Sequence, residues 1–128
     1  MVEYTREILQ AGCDIEWIGT IVKRAVPIIT SDVLKQVVLC QEDSRKNKKI
    51  LFDLITNEYT RTYANMIKKK INIDLTWKYA MESIVRELKK VFIDSKIYYE
   101  NKEISDIHDK ITIHRLIRVD WSQSQDDV

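Results

Sequence analysis

From Leu75 to Tyr99 the sequence repeats at the pitch of a helix, and that repeat constrains every other segment. Trp77, Met81, Ile84, Leu88, Val91, Ser95 and Tyr98 step by four and three residues in turn, and Val85, Phe92 and Tyr99 widen the stripe. Apolar side chains at i, i+3, i+4 and i+7 gather on one face of an α-helix. Lys78, Glu82, Arg86, Lys89, Lys90 and Lys96 fall on the opposite side. Glu82 stands four residues before Arg86, the favourable order for an ion pair on a helix. Asp74 is placed to cap the start by accepting a first-turn N–H. Burying each large side chain of the stripe stabilises by about 2 kcal/mol before the entropy of ordering is subtracted. Such a stripe demands cover from the rest of the chain.

Composition decides what kind of cover. With 128 residues, 45% of them hydrophobic and 32% charged, the chain reads as one soluble globular domain. Two glycines and one proline are too few for the many tight turns of an all-β fold, which favours an all-α one. A net charge of +1 exerts no global pull on nucleic acid or anionic lipid. Cys13 and Cys40 share no zinc-type spacing, and the mixed acids and bases of Met1 to Gln10 do not form a secretory signal. No apolar run approaches the 18 or so residues of a membrane span. The expectation is an intracellular chain, cytoplasmic or nuclear, that is neither secreted nor membrane-spanning.

In chain order, Val2 to Ala11 reads as a short helix stopped by Gly12. Asp14 caps a second, with Ile15, Trp17, Ile18, Ile21, Val22, Ala25 and Val26 apolar and Lys23 and Arg24 in its last turn. The β-branched run through Ile29 leaves a strand open, but the spacing of 18, 21, 22 and 25 favours helix. Pro27 is expected to end or kink it. Ser31 then caps a third helix with Val33, Leu34, Val37 and Val38 inward, and Gln41 to Asn47 is a polar surface loop. A fourth helix is expected over about 48–71, striped by Leu51, Leu54, Ile55, Tyr59, Tyr63, Met66 and Ile67. The tight link Asn72 to Asp74 would make it the antiparallel neighbour of 75–99. Asp106 to Trp121 is ambiguous. Ile107, Ile111 and Ile117 fit a helix, whereas Ile111, Ile113, Ile117, Val119 and Trp121 alternate as a strand does. A lone strand has no sheet to join, so the expectation is helix to Ile117 and extended chain beyond. The predicted architecture is a single all-α domain, residues 1–121: a bundle of five or six helices with 48–71 and 75–99 as its spine. A polar, acidic and mobile tail follows over 122–128.

Chemistry-bearing signals are sparse. Arg45, Lys46, Lys48 and Lys49 are candidate phosphate contacts, weighed against a solvated loop. Lys68 to Lys70 lie roughly 30 Å along the same expected helix at 1.5 Å per residue, too far to join them in one patch. Trp77, Tyr59, Tyr63 and Phe92 sit on apolar stripes and are assigned to the core, whereas Trp121 has little following chain to cover it. His108 and His114, six apart, do not share a helical face as a metal pair would, and Glu-x-x-His is absent. No catalytic or metal-ligating residue and no cofactor is assigned.

The heptapeptide Arg115-Leu116-Ile117-Arg118-Val119-Asp120-Trp121, behind a helical region, resembles the junction at which COMM domains begin. The resemblance covers seven residues, and 122–128 hold no counterpart of the strand-rich domain that would follow, so no function is carried over. The function expected from the residues is a non-enzymatic interaction module, an adaptor or assembly subunit that binds a protein partner or itself. Its candidate contact residues are Ile113, Leu116, Ile117 and Trp121, on segments with more apolar surface than two helices cover. The alternative is a nucleic-acid-associated protein using 45–49. A helical enzyme with no nameable reaction comes third.

Overall fold

The predicted stripe does build a helix, but only over part of its length. In the computed structural model, which describes residues 6–10, 12–54, 72–105, 107–109 and 111–124, that helix is α3, Ile73–Val91. Trp77, Ala80, Met81, Ile84 and Leu88 are all buried along it. Asn72 rather than Asp74 is the cap, its side-chain oxygen accepting the Leu75 N–H at 3.2 Å. Lys89 and Lys90 occupy the last turn, where cations suit the helix dipole. The Phe92 N–H closes the helix on the Leu88 carbonyl, and Asp94 then takes the left-handed conformation, φ 66°. Aspartate is one of the few side chains that visit that region readily. The chain leaves as a strand.

Before α3 come α1, Arg6–Gln10, α2, Ile15–Glu42, and strand β1, Lys49–Asp53; after it come β2, Ser95–Ser105, and β3, Ile111–Ser124. The strands form one antiparallel sheet in the order β1-β3-β2. Ile117 faces Phe52 on one side and Tyr99 on the other; Val119 faces Ile50 and Ile97. These inward residues join Trp17, Ile18, Ile21, Ala25, Ile29 and Val33 of α2 and the α3 stripe in a single core. The two long helices thus cover one face of the sheet. An aromatic pair, Trp17 and Trp77, meets edge to face at 4.8 Å between ring centres. The Arg115 guanidinium lies 5.4 Å from the Trp77 ring, buried on the inner face. Thr76 locks the two helix starts together. Its hydroxyl donates to the Asn72 carbonyl (2.7 Å) and accepts the Asp14 N–H (3.2 Å), while the Asn72 N–H reaches the Gly12 carbonyl (3.0 Å).

The fold is therefore α+β, and the all-α helical bundle of five or six helices is corrected. Residues 49–53 of the expected helix 48–71 form β1, and 55–71 lie outside the described residues. The expected helix 75–99 ends at Val91, because Ile97, Tyr98 and Tyr99 gain a pairing partner in β3 that suits branched and aromatic side chains. Residues 111–121 are strand throughout, since a sheet was available for them to join. β3 continues to Ser124, and 125–128 lie outside the described residues. Pro27 does not end α2, which runs unbroken for 28 residues. The proline sits on the exposed side, so its missing N–H falls away from the core, and Ser31 faces solvent instead of capping. Asp14 caps α2 as expected, accepting the Trp17 N–H at 3.0 Å.

Candidate functional site

Two surfaces stand out, one on each side of the molecule. The first follows from the unbroken course of α2. Glu16, Thr20, Lys23, Pro27, Ser31, Leu34 and Val38 step by four, three, four, four, three and four, one line along a helix, and all are exposed. Ile18, Ala25 and Ile29 lie about half a turn away, in the core. The first half of the exposed line is polar. The second half is apolar apart from Ser31, with Leu34 55% and Val38 51% exposed and Ile28 and Leu39 exposed beside it. Among the described residues, Val26, Pro27, Thr30, Ser31, Leu34, Lys35 and Val38 line a shallow depression there. The sequence placed Leu34 and Val38 inward because it restarted the helix at Ser31. Carrying the helical wheel through Pro27 turns them out.

The second surface is the outer face of the sheet. In its first row Lys49 and Lys96 flank Asp120; in the next, Leu51 and Tyr98 flank Arg118; in the third, Asp53 and Glu100 flank Leu116. Arg118 Nε donates to Glu100 Oε1 at 2.7 Å, a bond that raises the affinity of the guanidinium for its proton. Lys96 Nζ lies 5.6 Å from the centre of the Tyr98 ring. Asp120 accepts hydrogen bonds from the backbone N–H and the hydroxyl of Ser122. His114 Nδ1 lies 2.5 Å from Asp53 Oδ2 farther along the same face. Among the described residues no three His, Cys, Asp or Glu side chains gather as metal ligands.

The loop 43–48 closes one end of this face. Gln36 Nε2 donates to the Asn47 carbonyl at 2.9 Å, and the Trp121 N–H donates to the Lys48 carbonyl at 3.0 Å, so the loop is tied to both α2 and β3. Of the predicted phosphate contacts, Arg45 is held by Asp43 through its side chain (3.1 and 3.2 Å) and its backbone N–H (3.0 Å). Those bonds hold the Asp43 carboxyl below its ordinary range. Lys46 and Lys48 are exposed on the loop, and Lys49 opens β1. The structure adds Lys96, Tyr98, Arg118 and Asp120 to Lys49. Alternation in 96–100 and 118–120 was the available signal, hidden while both stretches lacked a sheet.

Of the predicted partner residues, Leu116 and Ile117 are buried, Trp121 is half-buried against the core, and Ile113 is partly exposed. Ile113, Ile117 and Trp121 share the inner face of β3, and Leu116 lies on its outer face. No helix among the described residues is long and apolar enough to cross a membrane. No known protein family, curated protein or solved structure matches this chain.

Proposed function

We propose that the chain is a non-enzymatic protein–protein interaction module whose contact surface is the outer line of the second half of α2. One observation carries this reading: Leu34 and Val38 stand exposed in line with Pro27 and Ser31, on a helix whose opposite side is already in the core. An apolar stripe left in water on a surface helix is the usual mark of a binding face. Its straight course fits the apolar face of another helix, supplied by a second copy or by a partner chain. The two free thiols, Cys13 and Cys40, fit an intracellular setting.

Sedimentation over a range of concentrations tests it. The chain is expected to associate, and Leu34→Lys with Val38→Lys to remain monomeric with unchanged far-UV circular dichroism. Equal association of the two proteins overturns the assignment.

A further inference from the structure

We propose that the outer face of the sheet, beside the loop 43–48, binds a nucleotide unit, its phosphate held by Lys49 and Lys96 and its base set against Tyr98. This site lies on the far side of the sheet from α2 and stands or falls independently of the interaction surface.

Lys49 and Lys96 are on different strands but in the same row, each one strand away from Asp120. Adjacent strands are about 4.8 Å apart, so the two lysines stand roughly 10 Å apart across β3, within reach of one bound group. Arg118, paired with Glu100, stands one pleat along on the central strand and lines the same depression as the two lysines. Glu100 pairs with Arg118, and Asp120, hydrogen-bonded by Ser122, keeps its negative charge between the lysines, so Lys49 and Lys96 leave the row with a surplus of positive charge. Lys46 and Lys48, exposed on the adjoining loop, extend the positive potential outward.

Shape and an aromatic surface supply the second half. The row of Lys49, Lys96 and Asp120 and the row of Leu51, Tyr98 and Arg118 together floor a depression of about 390 Å³ walled by Asn47. That is the lower end of the range for small-ligand sites, the scale of one nucleotide. Tyr98 is 39% exposed there, and its ring already holds the Lys96 ammonium at 5.6 Å. An incoming phosphate draws the lysine off, and the vacated ring accepts a base. An exposed aromatic beside cations is the kind of surface on which a base of single-stranded nucleic acid stacks. The shared chemistry is base plus phosphate, supplied by a free nucleotide or by a nucleotide within a strand.

Fluorescence anisotropy of a labelled oligouridylate, titrated with the full chain at low salt, tests this, with uridine monophosphate as competitor. The strand is expected to bind, with affinity falling on added salt by a log–log slope of about −0.7 for each phosphate neutralised. Lys49→Glu and Lys96→Glu should weaken binding about tenfold or more, and Tyr98→Ala about fivefold or more, the loss of one stacked base. Lys89→Glu, at the end of α3, should bind as the parent does. Circular dichroism confirms that each variant is folded, and Lys96→Gln replaces the reversal should it not be. Displacement by uridine monophosphate assigns the source as a free nucleotide; sensitivity to the variants without displacement assigns it as a strand. No binding by the parent chain, or binding indifferent to Lys96→Glu, overturns the proposal. Loss in the lysine variants with Tyr98→Ala unaffected overturns it in favour of a bare anion site.

Discussion

Val33 and Leu34 are neighbours in sequence and opposites in the fold. Val33 is 2% exposed and belongs to the core; Leu34, one position on, is 55% exposed on the far side of α2. The same holds for Ile29, fully buried, against Val38, half exposed. Both lines are apolar, so hydrophobicity alone does not distinguish them. Position around the helix does, and only one line has a sheet and a second helix to lie against. The covered line contributes to folding. The uncovered one leaves apolar area in water at roughly 25 cal/mol per Å² until something covers it.

The contrast is most exposed to test by truncating each line in turn. Ile29→Ala should lower unfolding free energy by about 2–5 kcal/mol in urea titration, the cost of a cavity in a closed core. Leu34→Ala should change it by under about 0.5 kcal/mol in dilute solution. Similar losses at the two positions would erase the distinction. A smaller effect, of opposite sign, is expected at Pro27. Pro27→Ala restores an N–H to an exposed helix interior and should stabilise by up to about 3 kcal/mol, read as a raised melting temperature. Destabilisation there would mean that the pyrrolidine ring is itself covered.

The smallest effect concerns the same inside–outside rule in β2. Tyr99 points inward beside Glu82, its hydroxyl 3.5 Å from a carboxylate oxygen, and burial followed by the negative charge of Glu82 pushes its phenol above the ordinary value of 10.0. The unfolded chain therefore releases this proton first. Below pH 10 both states hold it and stability is unaffected; above it, stability falls as pH rises. Tyr99→Phe should flatten that alkaline limb in a pH series of urea melts, and an unchanged limb would place the ring outside.

How far these features could be read from the chain differs by element. α3 is plain, because Trp77, Met81, Ile84 and Leu88 repeat at the helical pitch without alternating. Its end is not, because Ser95 and Tyr98 keep the same step while belonging to a strand. The strands were lost for a shared reason. β3 alternates visibly at Ile117, Val119 and Trp121, but its partners β1 and β2 lay inside stretches that also fitted a helix, and a strand without partners looks implausible. Pairing between residues as distant as Lys49 and Asp120 leaves no local trace. The candidate surfaces inherited these errors. The outward position of Leu34 needed an uninterrupted α2, and the grouping of Lys49 with Lys96 and Tyr98 needed the sheet. Only the basic run at 45–49 is legible in the sequence, and one of its four cations, Arg45, is spent on Asp43.

The placement of β3 has a consequence for how the chain is made. It is the middle strand of the sheet, yet it leaves the ribosome after both of its neighbours. Until it emerges, β1 and β2 share no edge, and the greasy undersides of α2 and α3 have no floor to settle on. Its short turn to β2 lets that hairpin close first, and β1 must then find a seat on the other side. A nascent chain stalled before Ile111 would hold both long helices and two strands with no partner between them, leaving apolar surface and bare strand edges open to chaperones and proteases.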